Sequence, residues 1–200
     1  AEVFSFHATK FLNSFEGGCV ATNNDELAEK IRLMRNFGFT HYDQTDYLGI
    51  NGKMHEVSAA MGLVNLESID EFIATNKRNY LAYHEQLKDL QGITLLEYDA
   101  NEQQNYQYVV AEVDEEAIAG TRDGLIEHLH QHQIIARRYF YPGCHRMEPY
   151  KTLYKGEYED KLPHTEAVAS RVVILPTGTA VERSDITWIA ARIREYLGSR

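Results

Sequence analysis

Over 55–90 the chain carries one apolar stripe, in which Ile69, Phe72, Asn76, Tyr80, Tyr83, Leu87 and Leu90 step by threes and fours. That spacing keeps one face of a 3.6-residue helix apolar for many turns, so it predicts a long helix or a bent helix pair. A helix of this length can join two domains, and it divides the chain into 1–54 before it and 91–200 after it. Its start, Glu56-Val57-Ser58-Ala59-Ala60-Met61-Gly62, is rich in small residues. Such a segment permits close packing inside the chain or against a second subunit, and the residues favour neither.

Before the stripe, Gly18 to Thr22 follows a glycine pair as a short apolar run and reads as a strand. Asn23-Asn24-Asp25 offers a helix cap, Leu27, Ile31 and Met34 give the inward face, and Gly38 is a natural stop. The stretch 40–52 mixes His41, Tyr42 and Tyr47 with Asp, Asn and Gly, and reads either as a functional loop or as a solvated one. After Gly92, 93–98 and 106–113 predict strands, 123–133 a helix, and 134–141 a third strand. A strand, strand, helix, strand order implies an α+β unit with a partly antiparallel sheet. Helical 165–170, a buried strand at 172–175 and a last helix capped by Ser184 complete the chain.

Composition narrows the partners. Thirty acidic against twenty basic residues give a net charge of -10, which repels phosphate backbones, so nucleic acid is excluded as an expected partner. No apolar run reaches the roughly 18 residues of a membrane span. Cys19 and Cys144 stand far apart in no C-x-x-C arrangement, which argues against a disulfide framework or thiolate metal site and fits a reducing cytoplasm. His128, His130 and His132 alternate, and His128 and His132 have helical metal-ligand spacing. With no third ligand evident, the expectation is a solvated helix face and no metal. Arg137-Arg138 beside Tyr139 and Tyr141 suits either a phosphate or sugar nucleotide, or a salt-bridged strand end.

One lysine has a setting that suits chemistry. Lys10 lies in Ser5-Phe6-His7-Ala8-Thr9-Lys10, flanked by Phe4, Phe6 and Phe11, with Gly17-Gly18 soon after. A lysine catalyses through its neutral amine, which apolar neighbours favour, and glycines let backbone pass close to a ligand. On local features alone a solvated surface lysine is the commoner outcome.

The order S-F-H-x-x-K, E-G-G, then Arg32-x-x-Arg35-Asn36-Phe37-Gly38 continues with Gly49-Ile50-Asn51-Gly52-Lys53-Met54, Tyr141-Pro142-x-x-His145 and Leu162-Pro163-x-Thr165-Glu166. This series resembles the pyridoxal-phosphate-dependent sugar aminotransferases of the DegT/DnrJ/EryC1/StrS family, and only their second half. The chain begins with Ala, and an upstream part is expected. The resemblance implies a fold between α/β and α+β, the C-terminal half of a fold-type-I aminotransferase. On that pattern 1–54 is the edge of the large cofactor-binding domain with a cross-subunit loop, 55–90 the linking helix, and 91–200 a small C-terminal domain.

The same resemblance implies that Lys10 is the catalytic lysine that forms the Schiff base with pyridoxal 5'-phosphate. Ser5 would hold the cofactor phosphate, and Asn51, or else Lys53, would reach the phosphate of the partner subunit in a homodimer. Tyr141 and His145 would face a nucleotide-linked keto-deoxysugar, with glutamate as amino donor; for His145 the residues alone suggest a structural hydrogen bond. In dehydratase relatives a histidine is expected where Lys10 stands. The aspartate that pairs with the pyridine nitrogen would lie upstream, so the 200-residue chain alone is expected to be inactive. The alternatives are a structural or dimerisation fragment and a regulatory relative that binds the cofactor.

Overall fold

The computed structural model describes residues 1–158 and 160–198, which form two compact units divided between residues 71 and 72. The first opens with a hairpin in which β1 (Glu2–Ser5) pairs antiparallel with β2 (Gly18–Ala21), Ser5 opposite Gly18 and Val3 opposite Val20. Gly18 is required there, because a Cβ would lie 2.4 Å from the Phe4 carbonyl oxygen. Helix α1 (Asp25–Met34) begins where expected, the Asn24 side chain accepting from the Leu27 N–H at 2.9 Å. Its end is built by Phe37 and Gly38, both at positive φ, with the Gly38 N–H donating back to the Leu33 carbonyl at 2.9 Å.

The 40–52 stretch is more regular than its composition suggested. It holds a small hairpin, β3 (Phe39–His41) against β4 (Gln44–Thr45), with a register shift between Phe39 and His41. Asp46 draws it together by accepting from Thr40 Oγ1 and Gln44 Nε2, both at 2.9 Å. Those bonds, Gln44 first, hold the Asp46 carboxyl below its ordinary range. Next come α2 (Glu56–Glu67) and α3 (Ile69–Leu87), so the long stripe folds as a helix pair broken at Ser68, and the boundary between the units falls in the first turn of α3.

In the second unit the predicted stripe is the core face of α3. Asn76, Tyr80, Tyr83 and Leu87 are buried, and the three polar members are satisfied: Asn76 donates to the Asn105 carbonyl at 3.4 Å, Tyr80 Oη to the Leu96 carbonyl at 3.3 Å and Tyr83 Oη to the Pro176 carbonyl at 2.8 Å, while Asn79, also buried, donates to the Gly178 carbonyl at 3.0 Å. Burial pushes the Tyr83 phenol well up. The sheet is antiparallel throughout, in the order β5 (Ile93–Leu95), β6 (Val109–Val113), β7 (Val172–Leu175). Val109, Ala111 and Val113 alternate inward on β6 and meet Leu125 and Leu129 of α4 (Arg122–Gln131) and Ile186, Ile189 and Ile193 of α7 (Arg183–Gly198) in one apolar cluster. Each Val, Leu or Ile side chain among them, fully buried, contributes about 1.5–3 kcal/mol.

Three expectations are corrected. The third strand is β7, not 134–141, where only Arg137 bridges Ile174. The pairing edge is taken by Val172–Leu175, which registers four residues against β6, and 137–147 becomes a cleft wall instead. Ser184 does not cap the last helix; it lies in its first turn, and the Asp185 carboxylate reaches back to the Glu182 N–H at 2.9 Å. The histidines at 128 and 132 do not point to open solvent; they are half-buried against Tyr196 and Trp188 of α7. Two short helices, α5 (Tyr150–Leu153) and α6 (Pro163–Arg171), connect the cleft wall to β7. Among the described residues no helix is long and apolar enough to cross a membrane.

Candidate active site

The loop that joins β1 to β2 is closed at its neck and carries Lys10 near its tip. The Phe6 N–H donates to the Gly17 carbonyl at 2.8 Å and the Ser14 N–H to the Phe6 carbonyl at 2.9 Å. Ser14 is fully buried, and its hydroxyl donates to the Glu16 carbonyl at 2.9 Å. From α2, Asn65 donates to the Asn13 carbonyl at 2.7 Å, and Gly62 leaves room for Ser14, whose Cβ would stand 3.4 Å from an added methyl. Gly62 of α2 therefore admits this loop within the chain. The apolar side chains of Val57, Leu63 and Val64 on the same helix remain exposed.

At the tip, the Lys10 N–H donates to the His7 carbonyl at 2.9 Å, which fixes a turn. His7 locks it from both sides: Nδ1 lies 3.0 Å from Thr9 Oγ1 and Nε2 3.5 Å from a Glu16 carboxylate oxygen. Sequence reasoning gave His7 no role. Its spacing of two from Thr9 was the available signal, since a side chain two residues away can bond to local backbone and hydroxyl groups. Lys10 itself is exposed in this chain, as is Ser5. The enclosure expected from the phenylalanines differs in one respect. Phe4 lines an apolar groove with Val20, Ile31, Ile50 and Met54, a groove of which Lys10 is not part.

Asn51 and Lys53 sit on the strap that returns past α1. The Asn51 backbone bridges Asn36, and the Gly52 N–H donates to the Arg35 carbonyl at 2.8 Å. The Lys53 ammonium lies over the Phe37 ring, 4.2 Å from its centre, and the Phe37 ring meets Phe39 edge-on. Thus the structure brings Ser5 and Lys10 onto one hairpin, and Asn51 and Lys53 onto one strap.

The remaining two predicted residues belong to the second unit. Tyr141 lines a cleft of about 460 Å³ with Arg137, Arg138, Tyr139 and His130. Two guanidiniums stack on its ring, Arg122 at 5.1 Å and Arg138 at 4.8 Å. Arg122 was overlooked because its neighbours 123–133 read as an ordinary amphipathic helix. It is buried, and donates to the carbonyls of Ala169 at 2.8 Å and Val172 at 2.9 Å and to the Asp123 carboxylate at 2.6 Å. His145 is not part of the cleft lining; its Nε2 meets Glu166 at 2.5 Å, and Arg146 Nε donates to the same oxygen at 2.7 Å. Arg146 and then His145 hold the Glu166 carboxyl below its ordinary range. Arg138 is paired with Asp123 at 3.3 Å, the salt-bridged alternative, while both Arg137 and Arg138 still face the cleft.

A family model for the DegT/DnrJ/EryC1/StrS aminotransferases matches residues 1–194, which takes in every one of these elements up to the last turn of α7. The chain belongs to this aminotransferase family. It is 36% identical to dTDP-4-amino-4,6-dideoxy-D-glucose transaminase of Shigella dysenteriae over 96% of this chain and 52% of that protein. Against GDP-perosamine synthase of Caulobacter vibrioides the identity is 31%, over 97% of this chain and 52% of the synthase. The structure matches the crystal structure of DesI, solved in the presence of its TDP-sugar product, with a TM-score of 0.87 and 45% identity, over 96% of this chain and 48% of DesI. The chain thus spans about half the length of the curated relatives it matches, and its fold is that of fold-type-I sugar aminotransferases over that half.

Proposed function

We propose that this chain supplies the catalytic lysine of a pyridoxal-phosphate-dependent aminotransferase that aminates a nucleotide-linked keto-deoxysugar, with glutamate as amino donor. The observation that carries it is the turn of Lys10: a family motif folded as a pinned hairpin loop that presents an amine to solvent. The donor set suits the cofactor. An amine answers an aldehyde, the Ser5 hydroxyl on the same hairpin answers a phosphate oxygen, and Asn51 or Lys53 offers a further phosphate donor. When bound, pyridoxal phosphate supplies the electron sink for a carbanion at the substrate carbon that bears nitrogen.

Lys10 has two tasks in this scheme. It holds the cofactor covalently between turnovers, and once released it carries the proton to and from the substrate carbon as general base and acid. His7, Thr9 and Glu16 keep its turn in one conformation, which limits what must be ordered when substrate arrives. Tyr141 and His145 are assigned to the sugar, Tyr141 as a wall stacked by two guanidiniums and His145 through its anchorage on Glu166. The Shigella dysenteriae and DesI relatives favour a dTDP-linked deoxysugar as the substrate class. We assign the protein to the cytoplasm, in keeping with two free, exposed cysteines. The test is to supply the full-length protein with pyridoxal phosphate, glutamate and a dTDP-linked keto-deoxysugar. Aminated sugar and 2-oxoglutarate in equal amounts are expected, and cofactor binding without either product would instead favour the regulatory alternative.

A further inference from the structure

We propose that His128 and His132 of α4, with Glu195 of α7, form a binding site for a divalent transition-metal ion such as zinc. Each residue brings one ligand atom within 4.8 Å of the other two. Residues four apart on a helix lie one above the other, and the two imidazole centres are 4.6 Å apart. The packing of α7 on α4 supplies the third ligand, which the sequence alone does not reveal.

Two independent features point these groups at a cation. His132 Nδ1 lies 2.9 Å from the His128 carbonyl oxygen, and a carbonyl only accepts, so that nitrogen carries the proton and Nε2 keeps a bare lone pair. Metal-bound histidines are oriented by this kind of bond from the second ring nitrogen. His128 Nε2, for its part, is buried and has no hydrogen-bond partner among the described residues. A buried polar atom of this kind calls for a partner, and a metal ion is one. The Tyr196 ring at 5.6 Å from His128 and the Trp188 ring at 6.4 Å from His132 hold both imidazoles from the sides.

The donor set selects the ion. Two imidazoles and one carboxylate suit zinc, nickel or copper, whereas magnesium and calcium take oxygen ligands. Zinc bonds of about 2.0–2.2 Å place tetrahedral ligand atoms about 3.3–3.6 Å apart, so the three atoms must close by up to about 1.5 Å. Side-chain rotation covers that distance, because Glu195 is exposed on its helix. Arg192 is ion-paired with Glu195 and stacked on Trp188 at 4.4 Å. One carboxylate oxygen of Glu195 meets the metal in exchange for its present contacts, and solvent takes the fourth position. The ion would staple α4 to α7.

The test uses the full-length protein, stripped with a chelator and titrated with Co²⁺ alone, whose visible absorption reports coordination. Intense bands of a four- or five-coordinate ion, displaced by Zn²⁺ and accompanied by a rise in Tm as Zn²⁺ is added, are expected. Affinity should fall at least about tenfold in His132→Gln and in Glu195→Gln, and stay unchanged in His164→Gln. Glu195 is exposed, so Glu195→Gln keeps the fold even where a histidine variant does not. No Co²⁺ band in the wild type, or bands that persist unchanged in Glu195→Gln, would overturn the site.

Discussion

Asn51 and Lys53 stand two residues apart, yet their surroundings differ. The Lys53 ammonium is already engaged over the Phe37 ring, whereas Asn51 is held through its backbone by Asn36. Asn51 is therefore the better candidate for the cofactor phosphate. Asn51→Ala in the full-length protein should weaken pyridoxal phosphate binding by about 1.5–3 kcal/mol, more than Lys53→Ala does, as read by equilibrium titration. Equal affinity in Asn51→Ala and wild type would move the role to Lys53. A second residue-scale consequence concerns Glu166. Its carboxyl titrates below the ordinary 4.5 in the folded chain, chiefly through Arg146. A depressed carboxylate stabilises the fold above its unfolded value and loses that contribution as pH falls through the folded one. On acidification below about pH 4.5 the wild type should therefore lose stability more steeply than Glu166→Gln, a difference that acid titration followed by circular dichroism would reveal. Parallel acid limbs would show that the cluster on His145 contributes nothing to folding.

Among the elements, Gly38 is the clearest test of how the strap is built. Its φ is +78°, and a Cβ would lie 1.9 Å from the Tyr47 carbonyl oxygen. Gly38→Ala should cost at least about 1–2 kcal/mol for the left-handed backbone alone, read as a lower midpoint in urea. A variant as stable as wild type would contradict the described end of α1. What the chain discloses about its elements follows from how local each one is. Helix α1 was legible because Asn24, its apolar face and Gly38 all act within one segment. The core face of α3 was legible for the same reason, four buried residues following one period. The third strand was not, because 134–141 and 172–175 have similar β propensity and only pairing with β6 decides between them. Nor was the partner of His128 and His132, since Glu195 arrives from another helix. At the proposed site, the motif singles out Lys10, whose catalytic role is proposed; the clamp of His7 was not legible, for it depends on how the loop closes.

At the scale of the whole molecule, exposed apolar side chains point to assembly. Tyr42, Leu48 and Ile50 on the strap region are exposed, as are Val57, Leu63 and Val64 on α2. Exposed apolar side chains of this kind suit burial against a second subunit or against the rest of the full-length protein. The full-length protein should be a homodimer by light scattering at micromolar concentration with cofactor bound, and a monomer would contradict that. The central claim is that Lys10 makes the covalent link to pyridoxal phosphate. Borohydride reduction of the cofactor-loaded full-length protein, followed by peptide mass analysis, tests it directly. The account predicts the added cofactor mass on the peptide that contains Lys10, and no adduct and no amino transfer in Lys10→Ala. An adduct on Lys53, Lys77 or Lys151 with Lys10 unmodified would contradict it.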